Sequence, residues 1–228
     1  TIAQVDRDNS LAWLLETRAA YDVRVLSALR PSSSMDIDTP TDLAILALHP
    51  EAQPHLAEVL RSDQAAPIRR IPLPAVLEVA ARPESQLAII GRVSPLAWQA
   101  LSKVTRIWIR VFAEERGMVA SGRVARGQAR SLLGLMMECA GPEAFFADLA
   151  NLVDAAIIDS RVLMAHHGRW PKAADRFASD AFDVEAVQDP WVRAFTAAAA
   201  QAPIPVVLGG HSLVSGGLYA LAEILKGR

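Results

Sequence analysis

The chain has 228 residues, 52% of them hydrophobic and 21% charged, with a formal net charge of -2 at pH 7. That is the makeup of a packed globule of one large or two small domains, and it excludes a global field drawing the chain to nucleic acid or anionic lipid. The single cysteine, Cys139, excludes an internal disulfide framework and a CxxC metal site, and it reads as a core thiol in a reducing compartment.

Residues 9–20 place Leu11, Leu14 and Leu15 on one helical face, with Asn9 or Ser10 as the cap, and 23–29 reads as a short strand. A loop, Pro31-Ser32-Ser33-Ser34, leads to Thr39, an N-cap with Pro40 at the first helical position and Asp42 placed to close a capping box. That helix runs to about Leu48, and Leu56, Val59 and Leu60 mark another within 49–64. Residues 65–74 are rich in proline and arginine. The expected division is therefore a segment 1–64, a boundary at 65–86 and an α/β domain at 87–228.

From 87 onward, strands and helices alternate. Strands are expected at 87–92, 106–113, 155–163 and 205–208. Helices are expected from Ser94-Pro95 through Leu101, over 128–140 and 142–153, over 190–201 behind the cap Asp189, and from Val214 to Leu225. This alternation predicts βαβ units and a Rossmann-like three-layer fold with a mostly parallel sheet. No apolar run is long enough to span a bilayer and no signal peptide is evident, so a cytoplasmic protein with no membrane partner is expected.

Open parallel sheets gather ligands at the carboxyl ends of their strands, so the residues following each strand are the first candidates. They are Arg92 and Ser94; Glu114, Glu115 and Arg116; Asp159, Ser160, Arg161, His166 and His167; and His211, Ser212 and Ser215. Asp159 lies inside an apolar run, where an unpaired carboxylate would be costly. It reads equally as a structural partner of Arg161 or backbone and as a functional group. The last strand opens into a loop with Gly209, Gly210, Gly216 and Gly217 before a helix. Glycines and a helix N-terminus suit a phosphate or carboxylate, so Gly209, Gly210, Ser212, Ser215 and Gly216, with Arg92, Arg116 and Arg161, form the expected anion cradle. Asp159, Glu114 and His211 are the candidates for acid–base chemistry.

Two further readings are weighed and set aside. Gly210-His211-Ser212-Leu213 resembles a nucleophile elbow, but Val214 stands where that motif needs glycine, and no histidine follows Ser212. The pairs His49/His55 and His166/His167 lack the spacing of two zinc ligands on one helical face. Residues 116–130, with Arg116, Arg123, Arg126 and Arg130 among three glycines, read as a solvated loop or as a lid closing on phosphates. No aromatic interleaves with these arginines, which argues against a nucleic-acid partner.

Asp36-Ile37-Asp38-Thr39-Pro40-Thr41-Asp42-Leu43 resembles the C-terminal signature of the MobA-like nucleotidyltransferases, a group of molybdenum-cofactor guanylyl- and cytidylyltransferases and phospholactate guanylyltransferase. The resemblance implies that Asp38, with Asp36 beside it, holds the Mg²⁺ that bridges nucleotide phosphates. It covers about the first fifth of the chain, and the family's glycine-rich nucleotide loop has no match here. The expectation is the C-terminal portion of a transferase-related protein that binds a phosphorylated or nucleotide-like small molecule, without nucleotidyltransferase activity in this chain alone. The alternative is a non-catalytic interaction or homo-oligomerisation domain beside a catalytic one.

Overall fold

The computed structural model describes residues 15–17, 21–23 and 31–227. The helix expected at 9–20 and the strand expected at 23–29 fall largely outside them. Four parallel strands, β1 (Gln86–Gly91), β2 (Trp108–Ala113), β3 (Ala155–Asp159) and β4 (Val206–Gly209), form one sheet in the order β2-β1-β3-β4. The order reverses between β1 and β3, because the chain leaves β1 for one neighbour and later returns to its other side.

Alternation along the strands sorts side chains into two layers. Leu87, Ile89, Ala155, Ile157 and Val207 face one core, while Ala88, Ile90, Ala156, Ile158, Val206 and Leu208 face the other. On the first side pack α1 (Pro40–Leu48), α3 (Leu73–Ala81), α4 (Pro95–Ser102) and α10 (Gly216–Lys226). On the second lie α5 (Leu132–Ala140), α6 (Pro142–Ala150) and α9 (Pro190–Ala200), whose Phe146 and Phe195 are fully buried. The fold is α/β, Rossmann-like and three-layered.

Local chemistry sets the helix starts. Pro40, Pro95, Pro142 and Pro190 stand in first turns, where no amide partner is lost. The Asp189 carboxylate accepts from the amides of Trp191 and Val192 at 2.9 and 3.1 Å. Residues 65–86, read as a boundary from their prolines, hold the end of a 3-10 segment (Asp63–Arg70), then α3, which buries Leu73, Val76 and Leu77 in the first core. A short helix, α2 (Pro54–Arg61), precedes them. Among the described residues no helix is long and apolar enough to cross a membrane.

The strand expected over 155–163 stops at Asp159. Helix α7 (Ser160–His166) begins at the next residue, with Asp159 as its N-cap. Every residue of α7 is buried, so its sequence has no polar stripe to reveal the helical period. Helix α8 (Ala173–Asp180) follows.

Candidate functional site

All four strands run the same way, so their carboxyl ends share one edge. Asp159 is its central group. Arg92 donates to it through Nε at 2.6 Å, Nη2 at 3.0 Å and its amide at 3.3 Å, and the Arg161 amide adds a bond at 3.3 Å. Four donors surround this one buried carboxylate and fill most of its accepting capacity. Gly91, at φ +122°, permits this approach: a Cβ there would fall onto the Asp159 side chain.

The Arg161 guanidinium does not join the anion-binding group expected of it. It turns inward and meets Asp180 in a two-pronged pair, Nη1 to Oδ1 at 2.8 Å and Nη2 to Oδ2, while Nη1 also donates to Ser160 Oγ. Both side chains are buried. Burial pulls the guanidinium down, but the Asp180 charge more than restores it, and the group sits above its ordinary value. Arg161 is a structural charge.

Glu114 leaves β2 beside this cluster. Its amide donates to the Gly91 carbonyl at 2.8 Å, which ties the two strand ends together. Burial pushes the Glu114 carboxyl above the usual carboxylate range; a hydrogen bond from Ser131 and the nearby His166 oppose this, and Asp159 and Glu115 reinforce it. Ser131 Oγ donates to Glu114 Oε1 and also caps α5 by accepting from the Gly134 amide. The Ser131 amide donates to His166 Nδ1 at 3.1 Å, and the other ring nitrogen, Nε2, lies 3.3 Å from Glu138 Oε1. Ser131 was not a sequence candidate; its signal was an N-cap serine immediately before an apolar helix.

His211 follows β4 and is half-buried, as Glu114 is. Burial lowers its pKa, the positive charges of Arg92 and Arg116 add to that, and Asp159 and Asp36 oppose it. The ring is therefore neutral near pH 7. Its Nε2 is buried with no hydrogen-bond partner among the described residues. Arg116 is exposed at the rim.

The chain's own residues 34–45 pack against the glycine loop expected to cradle an anion. A Cβ at Gly216 would fall onto Ser34 O and Met35 Cα, one at Gly210 would lie 3.1 Å from Thr39 Cγ2, and one at Gly209 would lie 2.8 Å from Leu213. The hydroxyls are engaged as well: Ser212 Oγ donates to the Asp36 carbonyl, Ser215 Oγ to the His211 carbonyl, and Thr41 Oγ1 to the Leu208 carbonyl. The space beside Gly216 is thus filled by backbone, that beside Gly209 and Gly210 by the side chains of Leu213 and Thr39, and the hydroxyls of Ser212 and Ser215 serve the fold.

Residues 116–130 form turns rather than a free lid. Gly117, Gly122 and Gly127 adopt φ of +71°, +71° and +63°, and Met118 and Ala129 anchor the loop on Val162 and Ala165 of α7. Its arginines fold back: Arg123 on Glu115 and the Gln128 carbonyl, Arg126 on Gln128 and the Ser121 carbonyl, Arg130 on the Ala129 carbonyl.

Asp36 and Asp38 are both exposed. They face different surroundings: Asp36 acts on His211, while Asp38 lines an apolar groove of about 500 Å³ between α1, α2, the 3-10 segment and Phe177. Among the described residues no three His, Cys, Asp or Glu side chains are grouped as metal ligands. The carboxylates present do not by themselves fit the Mg²⁺ that the acidic turn implies. Asp42 instead serves the turn, its Oδ2 accepting from the Asp38 amide, the Thr39 amide and Thr39 Oγ1 at 3.0, 2.8 and 2.9 Å.

No family model, curated protein or solved structure matches the chain.

Proposed function

We propose that this chain binds a small anionic molecule, phosphorylated or nucleotide-like, over the carboxyl edge between β1 and β3. One observation carries the reading: Arg92, Asp159, Glu114 and His211 converge on the point where the strand order reverses, and His211 Nε2 is buried there without a partner. Doubly wound sheets hold ligands at such a point. A buried ring nitrogen lacking a partner is a costly feature that a ligand oxygen or hydroxyl would relieve.

The roles follow from the surroundings. His211 and Arg116 meet the ligand, the first as a neutral hydrogen-bonding ring and the second as a charge at the rim. Glu114, whose carboxyl burial raises above the usual carboxylate range, is the candidate for exchanging a proton with the ligand. Asp159 is fully engaged, so it positions Arg92 rather than acting as a base. The acidic turn at 36–43 supports a nucleotidyltransferase-related origin and hence a nucleotide as the first ligand to try.

Titration calorimetry with orthophosphate, pyrophosphate and nucleoside mono-, di- and triphosphates, with and without Mg²⁺, tests this. Binding by at least one is expected, weakened about tenfold or more by His211→Ala. No heat from any of them would end the proposal.

A further inference from the structure

Helix α5 reads Leu132-Leu133-Gly134-Leu135-Met136-Met137-Glu138-Cys139-Ala140 and is apolar nearly all round. Such a helix is ordinarily covered on every side. Its inner face buries Leu133, Gly134 and Met137, yet Leu132 is 72% exposed and Leu135 and Met136 stand beside it in the open. These three occupy positions i, i+3 and i+4, one continuous outer stripe.

The stripe continues onto the sheet edge. Met136 and Leu152 line a shallow pocket with Phe112 of β2, and the Arg110 guanidinium of β2 reaches the Leu152 carbonyl at 3.2 Å. Trp108, at the start of β2, is 65% exposed. One surface thus runs from Trp108 past Leu152 and Met136 to Leu135 and Leu132.

Among the described residues β2 is the outer edge of the sheet. The Trp108 amide donates to Ser85 and the Glu114 amide to Gly91, both toward β1. Backbone groups alternate in direction along a parallel strand, so those of Ile109, Val111 and Ala113 point outward. No described strand lies beyond them. The usual protections of an edge are scarce here: β2 has no proline, pairs with β1 in unbroken register, and carries Arg110 as its one charge.

We infer that this surface is the interface between two copies of the chain, with β2 pairing antiparallel to β2 of the second copy about a two-fold axis and the outer stripes of α5 packing beside the joined strands. A two-fold brings a patch onto itself, and the patch must then suit itself. An edge strand does so by construction, because its outward N–H and C=O groups are complementary to the same groups run in reverse. The apolar stripe adds a like-with-like contact, beside which Arg110, the one charge of β2, is held by Gln86 Oε1 and the Leu152 carbonyl. The five exposed side chains offer on the order of 500–600 Å² of apolar surface, at the upper end of what a monomer ordinarily leaves uncovered. Doubled across the axis this is roughly 1,000–1,200 Å², the size at which specific interfaces begin. The inference stands apart from the proposed ligand site, since none of these residues belongs to it.

Sedimentation velocity of the full chain from about 1 to 100 µM, with backbone hydrogen exchange on the same samples, tests it. A species of twice 24.6 kDa is expected, with the amides of Ile109, Val111 and Ala113 protected. Leu132→Glu with Leu135→Glu, both exposed and so neutral to the fold by circular dichroism, should raise the dissociation constant about 100-fold or more and release those three amides. The inference is overturned by a wild-type chain that stays monomeric throughout, by a dimer indifferent to the double substitution, or by a dimer in which the three amides exchange as fast as in the monomer. A dimer broken instead by Val59→Asp, in the apolar groove near α1, assigns the contact to that groove and overturns it equally.

Discussion

The two halves of the sheet's carboxyl edge start from the same geometry and end differently. On the β3–β4 side, the polar groups are consumed by the fold: Arg161 by Asp180, Ser212 and Ser215 by backbone carbonyls, and the glycines by residues 34–45. On the β1–β2 side, Glu114 keeps a raised pKa, Arg116 is exposed, and His211, reaching across from β4, holds a nitrogen in reserve. Polar residues at strand ends are therefore no single class. What separates them is whether another part of the same chain has already filled their hydrogen-bonding capacity.

The sharpest way to break the sealed half is Asp180→Ala. It strands the Arg161 guanidinium in a buried place, and a loss of about 3–5 kcal/mol in urea unfolding is expected. A loss under 1 kcal/mol would mean that Arg161 finds water or another carboxylate, and the half is not sealed.

Asp42 gives the next effect, and it depends on pH. Burial pushes its carboxyl from 3.8 up to about 6, against three hydrogen bonds that pull the other way. A folded pKa above the unfolded one means that the stabilisation is complete below about pH 4 and lost as pH rises through 6. Two pKa units correspond to ~3 kcal/mol. Asp42→Asn removes this dependence. Its stability relative to the parent should climb by about that amount between pH 4 and pH 7.5, read from urea midpoints; a constant difference across the range refutes the assignment.

Gly216→Ala should cost about 1–3 kcal/mol, because the new methyl meets backbone at Ser34 and Met35 rather than a side chain able to swing aside. Faster exchange of the amides at 35–42 would show that the covering segment has lifted. On the open half, Arg116→Ala should change stability by less than about 0.5 kcal/mol while weakening anion binding several-fold. Equal loss of both would place Arg116 with the structural charges.

Much of the fold was legible. The sheet's strands announce themselves as short apolar runs between turn signals, and β1, β2 and β4 lie within two residues of their expected bounds. β3 did not, because a fully buried helix and a buried strand write the same apolar run, and only Asp159 marks the junction. Prolines at 72 and 74 were read as a boundary, though proline is equally at home in a first helical turn, as at the start of α3. The site was half legible. Strand ends could be named, but the partner of each could not: Arg161 and Asp180 lie 19 residues apart. Nor does a glycine in a loop disclose whether it admits a phosphate or a neighbouring stretch of chain.

Asp159 closes β3, caps α7 and clasps Arg92 with the same two oxygens, and no spacer separates strand from helix. Such a joint has no slack. A guest that drew Arg92 toward itself would loosen the first turn of α7, and with it the footing on which Met118 anchors the arginine-bearing turns. Occupancy at the sheet edge would then be felt, through one carboxylate, some distance along the surface.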